Sequence, residues 1–394
     1  MKRTIGVVTG ARADFGLYRP ILRAIAADPA LELHLLVCGM HLAADFGHTV
    51  DEIAAEGFPI AERIETLLAS DTPAGIAKSM GLGVTGFAQS YARTRPDILL
   101  LLGDRYEMFA AAVAALPFVI PIAHIHGGET TEGAIDEAIR HALTKMSHIH
   151  FVATEDAGRR VIRMGEQPSR VLVTGAPALD NLHALNLLDR AELERVTGFP
   201  FDPAPLLVTV HPVTLEHEDT AAQTDEVMAA LSAAHRPVLF TFPNADTSGR
   251  RIIDAIRRYT TTHPNAAAVP NLGSLAYFSA MRHAAAVVGN SSSGIIEAAS
   301  FRVPVVNIGS RQRGRLRARN VIDALPRRDA ILAALEQALA PSFREGLAGL
   351  VNPYGDGRAA ERIVQRLKDT PLDRRLIEKT FYDGPVPSGP AAEP

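Results

Sequence analysis

Short apolar runs alternate with helix-patterned stretches along most of the chain. In the first half the runs are RTIGVVTG, LELHLLVCG, DILLLLGD, PFVIPIAHIHGG, HIHFVAT and RVLVTGAP. They are almost continuously hydrophobic, which is the pattern of parallel strands covered on both faces. Helix-like stretches fill the gaps at 17–27, 75–92, 105–116, 135–146 and 155–164. From residue 205 the rhythm restarts with PLLVTVHP, RPVLFTFP, AAVVGNSS and VPVVNIGS. The pattern predicts an α/β protein of two doubly wound, Rossmann-like domains, with the cleft between them as the expected ligand site. The expected bounds are 1–186 for the first domain and 205–370 for the second. A crossing at 187–204, which carries Gly198, Pro200 and Pro203, joins them. A tail follows at 371–394, and its end, DGPVPSGPAAEP, has the composition of a disordered segment.

Composition agrees with this picture and closes some alternatives. A length of 394 residues calls for two domains, and 47% apolar with 21% charged residues is ordinary for a globular protein. A formal charge of −4 gives no support for nucleic acid as the main partner. No apolar run approaches the roughly 20 residues of a membrane span. The start, MKRTIGVVTG, passes straight into a strand-like run, unlike a signal peptide. A cytoplasmic location is the expectation. Cys38 is the single cysteine, so no intrachain disulfide or thiolate metal cluster can form, and a buried thiol is expected.

Candidate chemistry collects where strands end, the place at which open α/β sheets hold ligands. Residues 124–141, HIHGGETTEGAIDEAIRH, put His124, His126, a Gly-Gly pair and Glu129 on a loop after an apolar run. Asp136, Glu137, Arg140 and His141 follow on a helix, with Asp136 and Arg140 on one face at i and i+4. Carboxylates, imidazoles and a guanidinium this close suit proton transfer beside an anionic substrate. First-turn acids and a satisfied strand histidine explain any one of them but not the set. His124 and His126 alternate faces of a strand, which argues against joint metal ligation. In TGARADFG (9–16), Gly10 is expected to turn the chain and Arg12 to meet a phosphate at a helix start, although an ordinary surface loop serves equally. The GxGxxG spacing of a dinucleotide site is missing. In GDRYE (103–107), Asp104 is either a base or a helix N-cap. His211 ends the first strand of the second half. In GNSSSGIIEA (289–298), Ser291, Ser292, Ser293 and Gly294 open a helix to an anion, and Glu297 suits ribose hydroxyls; simple serine capping is the competing account. GSRQRGRLRAR (309–319) holds five arginines at every second position; a solvated charged loop is the usual account of such a run, and near a diphosphate Arg311 and Arg313 suit phosphate.

Taken together, TGARADFGLYRPIL, GDRYEM, HIHGGE, DEAIRHALTKMSH, the His211-Pro212 pair, GNSSSGIIEA and GSRQRGR resemble the hydrolysing UDP-N-acetylglucosamine 2-epimerases, in that family's order from about residue 3 to 320. The resemblance implies a GT-B-like fold with UDP in the interdomain cleft, a homodimer or homotetramer, and no metal or other cofactor. It also separates the hydrolysing branch from its non-hydrolysing relatives. Those carry a lysine one turn beyond the arginine, where this chain has Leu17, and a glutamate where it has His126. The implied reaction converts UDP-N-acetylglucosamine and water to N-acetylmannosamine and UDP through a 2-acetamidoglucal, for sialic acid-type sugars. Arg12, Arg140 and the Ser291–Gly294 helix start are then expected to steady the diphosphate, and His126, Glu297, Arg311 and Arg313 to bind the substrate. Asp104 or Asp136 is expected to take the C2 proton, Glu129 to guide water, and His211 to hold or protonate the leaving phosphate. The same family includes enzymes acting on UDP-N,N'-diacetylbacillosamine, and the sequence does not choose between the two sugars. A GT-B glycosyltransferase and a non-catalytic sugar-nucleotide sensor are the other classes. The first would share the nucleotide site, and the second would not need Asp104, Glu129 and Asp136 together.

Overall fold

The computed structural model describes residues 2–44, 47–68, 70, 72–130, 135–212, 220–243, 249–270 and 272–385. The chain divides into two compact units, Met1–Asn181 with Tyr354–Pro394, and Leu182–Pro353. The first holds seven strands: β1 (Arg3–Thr9), β2 (Leu31–Cys38), β3 (Ile60–Ile64), β4 (Ile98–Leu102), β5 (Ile122–Ile125), β6 (Ile149–Val152) and β7 (Val171–Val173). They lie in the order β3-β2-β1-β4-β5-β6-β7, and every pairing is parallel. The second holds β8 (Leu206–Thr209), β9 (Val238–Thr241), β10 (Ala266–Val269), β11 (Ala286–Gly289), β12 (Val305–Ile308) and β13 (Val321–Ala324), in the order β10-β9-β8-β11-β12-β13. Its pairings are parallel too.

The continuous apolar runs all became strands, and all but β7, a partly buried sheet edge, lie inside a sheet. In the first unit, one face packs on the helices Arg12–Ala27 and Ala359–Asp369, and the other on Pro73–Arg93, Tyr106–Ala115 and Ile135–Met146. All five residues of β4 are buried. The strands that the sequence did not predict are β3, β10 and β13. All three are sheet edges and only partly buried, so alternating or small residues (IAERI, AAAV, VIDA) serve there and no long apolar run is required.

Two expected boundaries move. The stretch 187–204 is not a bare crossing. Asp189 and Glu192 form a capping box for the helix Arg190–Thr197, and Gly198 ends it in the left-handed conformation. Leu193, Phe199 and Phe201 are buried in the second unit, so the Gly/Pro cluster that suggested a linker is a helix stop. The second domain also does not run to residue 370. From Tyr354 the chain rejoins the first unit, where Ile363, Val364 and Leu367 enter its core. The Asp180 carboxylate accepts the Ala359 and Ala360 amides at 3.0 and 2.7 Å, fixing that helix's start. Part of the expected tail is anchored as well: Lys379 pairs with Glu166, and the Tyr382 amide donates to the Gly165 carbonyl at 2.9 Å. The expected disorder at 386–394 lies outside the described residues.

Each sheet has one switch point, where neighbouring strands leave in opposite directions and their following loops diverge: β1/β4 in the first unit and β8/β11 in the second. At the second of these, Gly289 has φ +130, and a Cβ there would sit 1.9 Å from the Thr209 carbonyl oxygen. Only glycine allows that approach.

Leu367 is fully buried although it lies near the chain's end. Leu367→Ala is expected to cost about 2–5 kcal/mol in denaturant unfolding. A loss within experimental scatter would show that this helix is not part of the first unit's core.

Candidate functional site

The first unit gathers its polar groups after β4 and β5. Asp104 follows β4 and pairs with Arg140 of the helix Ile135–Met146. The same guanidinium donates to the His126 carbonyl at 2.9 Å. Asp104 is therefore a partner of Arg140, and not the N-cap that its position also allowed; Arg105 occupies the cap and makes no side-chain capping bond. Burial raises the Asp104 carboxyl above its usual range; Arg140 opposes the shift, while Asp136 and Glu129 add to it. A carboxylate so placed is a better proton acceptor than an exposed one.

The two histidines of HIHGG separate cleanly. His124 is fully buried, its Nε2 donates to the Gly103 carbonyl at 2.7 Å, and burial lowers it to about 3. It is a structural residue. His126 lies just past β5 at φ +65, and its Nδ1 is 2.5 Å from Glu129 Oε1. Glu137 and His141, which the sequence also offered, pair with each other at 3.1 Å. Asp136 stands in the helix's first turn, on the side that acts on Asp104.

A second charged cluster lies at the β1/β4 switch point, and sequence reasoning missed it. Arg105 holds the buried Glu107 through two nitrogens at 3.2 and 2.8 Å, with Asp14 at 3.7 Å. Burial lifts Asp14 to about 6, against the pull of Arg105. Gly10 plays a different part from the one expected. It is not in the left-handed region, and its lack of a Cβ matters because Glu107 packs against it, with atoms 3.2–3.3 Å from where a Cβ would be. Arg12 is on the first turn of its helix, largely exposed, with Glu52 at 3.5 Å.

In the second unit, Asn290 clasps the backbone of His211, its amide nitrogen donating to the carbonyl at 2.8 Å and its oxygen accepting the amide at 2.7 Å. Arg311 and the buried Gln312 both donate to the Asn290 carbonyl, at 3.0 and 2.9 Å. The loops after β8, β11 and β12 are thereby tied together. Burial, reinforced by Arg311, lowers His211 to about 4, so its ring is neutral at neutral pH and suits hydrogen bonding better than proton donation. Ser291 caps the short helix Ser292–Ile296, and Ser293 is bonded to Tyr277 at 2.6 Å. The serines thus form a network of their own, with Gly294 buried beneath them. Glu297 is half-buried, and its Oε2 has no hydrogen-bond partner among the described residues; burial lifts its carboxyl to about 7. Arg313 is exposed. Asn290, Gln312 and Tyr277 are the residues the sequence reading missed here. Among the described residues, no group of three or more His, Cys, Asp or Glu is placed to hold a metal ion.

A family model described as UDP-N-acetylglucosamine 2-epimerase matches residues 23–368. The chain is 41% identical to a Legionella pneumophila protein named UDP-N,N'-diacetylbacillosamine 2-epimerase (hydrolyzing), over 96% of this chain and 99% of that one. It is 37% identical to a Campylobacter jejuni protein named GDP/UDP-N,N'-diacetylbacillosamine 2-epimerase (hydrolyzing), over 97% and 99%. Among solved structures, the Neisseria meningitidis UDP-GlcNAc 2-epimerase bound to UDP-GlcNAc superposes with a TM-score of 0.80 at 18% identity, covering 93% of this chain and all of that one, a likeness of fold.

Glu297 gives a stability expectation with a definite sign. Its folded value, about 7, lies above the ordinary glutamate value of 4.5, so the fold loses stability as pH rises from 4.5 to about 7. Glu297→Gln should melt higher than the parent chain at pH 8, and the gap should close by pH 4.5. An unchanged gap across that range would refute the assignment.

Proposed function

Because the chain belongs to the UDP-N-acetylglucosamine 2-epimerase family, we propose that it is a hydrolysing 2-epimerase of a UDP-2-acetamido sugar, with UDP-N,N'-diacetylbacillosamine as substrate. The observation that carries this reading is the 41% identity, nearly end to end, with a protein of that name. The 37% identity with a second protein of similar name supports it. UDP-N-acetylglucosamine, the sugar first expected from the motifs, becomes the second reading, and the family model's own description favours it.

The reaction splits into an elimination and a hydration. A base removes the C2 proton as the C1–O bond to UDP breaks, leaving a 2-acetamidoglycal. Water then adds at C1, and C2 regains a proton on its other face. The C2 proton is not acidic, so bond breaking at C1 must lead, with oxocarbenium character. Asp104 is the base: burial raises its proton affinity, and Arg140 keeps its carboxylate oriented. Asp136 reinforces that affinity from the next helix. The second unit holds the nucleotide. Arg311 supplies positive charge, the neutral His211 hydrogen-bonds the diphosphate, the Ser291–Gly294 start faces phosphate, and Glu297 takes the ribose hydroxyls. Arg313, exposed near Arg311 in the sequence, adds positive charge in the second unit, and we assign the exposed Arg12 of the first unit to phosphate as well. No helix among the described residues is long and apolar enough to cross a membrane, and we place the reaction in the cytoplasm, in a homodimer or homotetramer.

Incubation with each nucleotide sugar, followed by NMR of the released sugar, tests the substrate. Free diacetamido sugar and UDP are expected without any acceptor. Consumption of UDP-N-acetylglucosamine alone would install the second reading. Asp104→Asn, Asp136→Asn and Glu129→Gln are each expected to slow free-sugar formation by about 100-fold or more. Near-normal turnover in all three would remove the carboxylate assignment.

A further inference from the structure

We propose that His126 and Glu129 form a proton-transfer dyad in which the imidazole, positioned by Glu129, returns the proton to C2 in the hydration step. This rests on the hydrolysing 2-epimerase reading above. Glu129 Oε1 lies 2.5 Å from His126 Nδ1, and both side chains are mostly buried, at 12% and 16% exposure. A carboxylate on Nδ1 fixes the proton there and leaves Nε2 as the atom that exchanges protons with a substrate. Nε2 makes no hydrogen bond to any described residue.

The backbone at His126 points the same way. A non-glycine residue at φ +65 is strained, and such positions persist where surrounding structure holds them for a purpose. Here the His126 amide donates to the Phe151 carbonyl at 3.0 Å, and its carbonyl accepts from Arg140 at 2.9 Å. The other end of that guanidinium holds Asp104. One buried cation thus stands between two proton-handling groups, Asp104 and the His126–Glu129 pair. An epimerisation requires such a division, since the proton leaves from one face of C2 and returns on the other. The charged or titratable groups around the ring are Glu129 on its own loop, Asp104 after β4, His124 on β5 and Arg140 on the helix Ile135–Met146. Arg160, from the helix Glu155–Arg163, donates to the Gly128 carbonyl of the same loop.

The step balances. The Nε2–H bond of the imidazolium breaks as the glycal double bond supplies the electron pair for a new C2–H bond. Positive charge passes to C1 and the ring oxygen. A water oxygen then bonds to C1, and the proton it sheds returns to Nε2. One water is consumed, C1 gains a hydroxyl, C2 gains a hydrogen, and the imidazolium is restored. The proton that Asp104 took in the elimination leaves to solvent.

The test separates UDP release from free-sugar formation in the full chain. Asparagine tolerates positive φ, so His126→Asn keeps the loop. This variant is expected to form free sugar about 100-fold or more slowly while UDP release falls less than about tenfold, so the glycal accumulates. Its vinyl proton is visible by NMR, and continued UDP release certifies the fold. Glu129→Gln should move the alkaline limb of the free-sugar pH profile to lower pH, which a purely structural partner would not do. Free sugar at the parent rate from His126→Asn would overturn the dyad, as would loss of UDP release as complete as in Asp104→Asn. A pH profile unmoved by Glu129→Gln would remove Glu129 as the positioning residue. No UDP release by the parent chain from either nucleotide sugar would instead refute the functional reading itself.

Discussion

A parallel sheet must be covered on both faces, and most of this molecule follows from that requirement. Each sheet spends its two faces on packing, one core on either side. Polar chemistry is left only the strand ends, and the carboxyl ends at the switch points are where loops diverge enough to hold a ligand. That is why Asp104 follows β4, His126 follows β5, His211 follows β8, Ser291 follows β11 and Arg311 follows β12. Within each unit their place is a consequence of topology before it is a consequence of chemistry.

Within the first unit, the arrangement depends on Arg140. Its side chain is only 6% exposed, and a buried cation without partners would be severely unfavourable. Asp104 and the His126 carbonyl satisfy it, and in doing so they fix two loops that come from different strands. The same pairing leaves a surplus of negative charge: Asp136 and Glu129 both push the Asp104 carboxyl upward, and one guanidinium does not offset them along with burial. The geometry therefore yields a carboxylate that is held in place and is still a good proton acceptor.

What was legible in the sequence tracks what a local pattern can encode. Strands buried on both faces announce themselves as apolar runs, and the helix 135–146 came out at its expected bounds because its polar and apolar faces alternate sharply. Three of the four edge strands, β3, β10 and β13, were missed because half-burial removes the need for an apolar run, and the fourth, β7, stood out only because its sequence, VLV, is apolar even so. The helix Ala359–Asp369 was assigned to the wrong unit because its apolar stripe does not say which sheet it covers. In the site, charged residues next to glycines stood out, and Asp104, His126, Glu129 and Arg140 do meet. Asn290, Gln312 and Tyr277 did not stand out. Amides and phenols are common everywhere, and only the contact that Asn290 makes with a backbone 79 residues away gives it a role. Glu107 was visible in GDRYE but unread, since nothing local shows that Gly10 makes room for it.

Asp104 and Glu297, both raised, show how differently the units tolerate a buried carboxyl. Asp104 is raised by burial and by neighbouring acids, yet it keeps a strong cationic partner and so remains usable as an anion. Glu297 is raised by burial, with a backbone amide and Arg315 opposing, and one of its oxygens has no partner among the described residues. A buried acceptor without a donor costs about 1–3 kcal/mol. A ligand hydroxyl donating to the orphaned oxygen would remove that cost, so an atom that weakens the fold is suited to binding. His211 follows the same logic with the opposite charge. Held neutral by burial and Arg311, it keeps a ring nitrogen unsatisfied at the β8/β11 switch point. The second unit thus stores unmet hydrogen-bonding capacity at its strand ends, and the first stores unmet basicity. Proton transfer calls for unmet basicity, and holding a polar nucleotide calls for unmet hydrogen-bonding capacity.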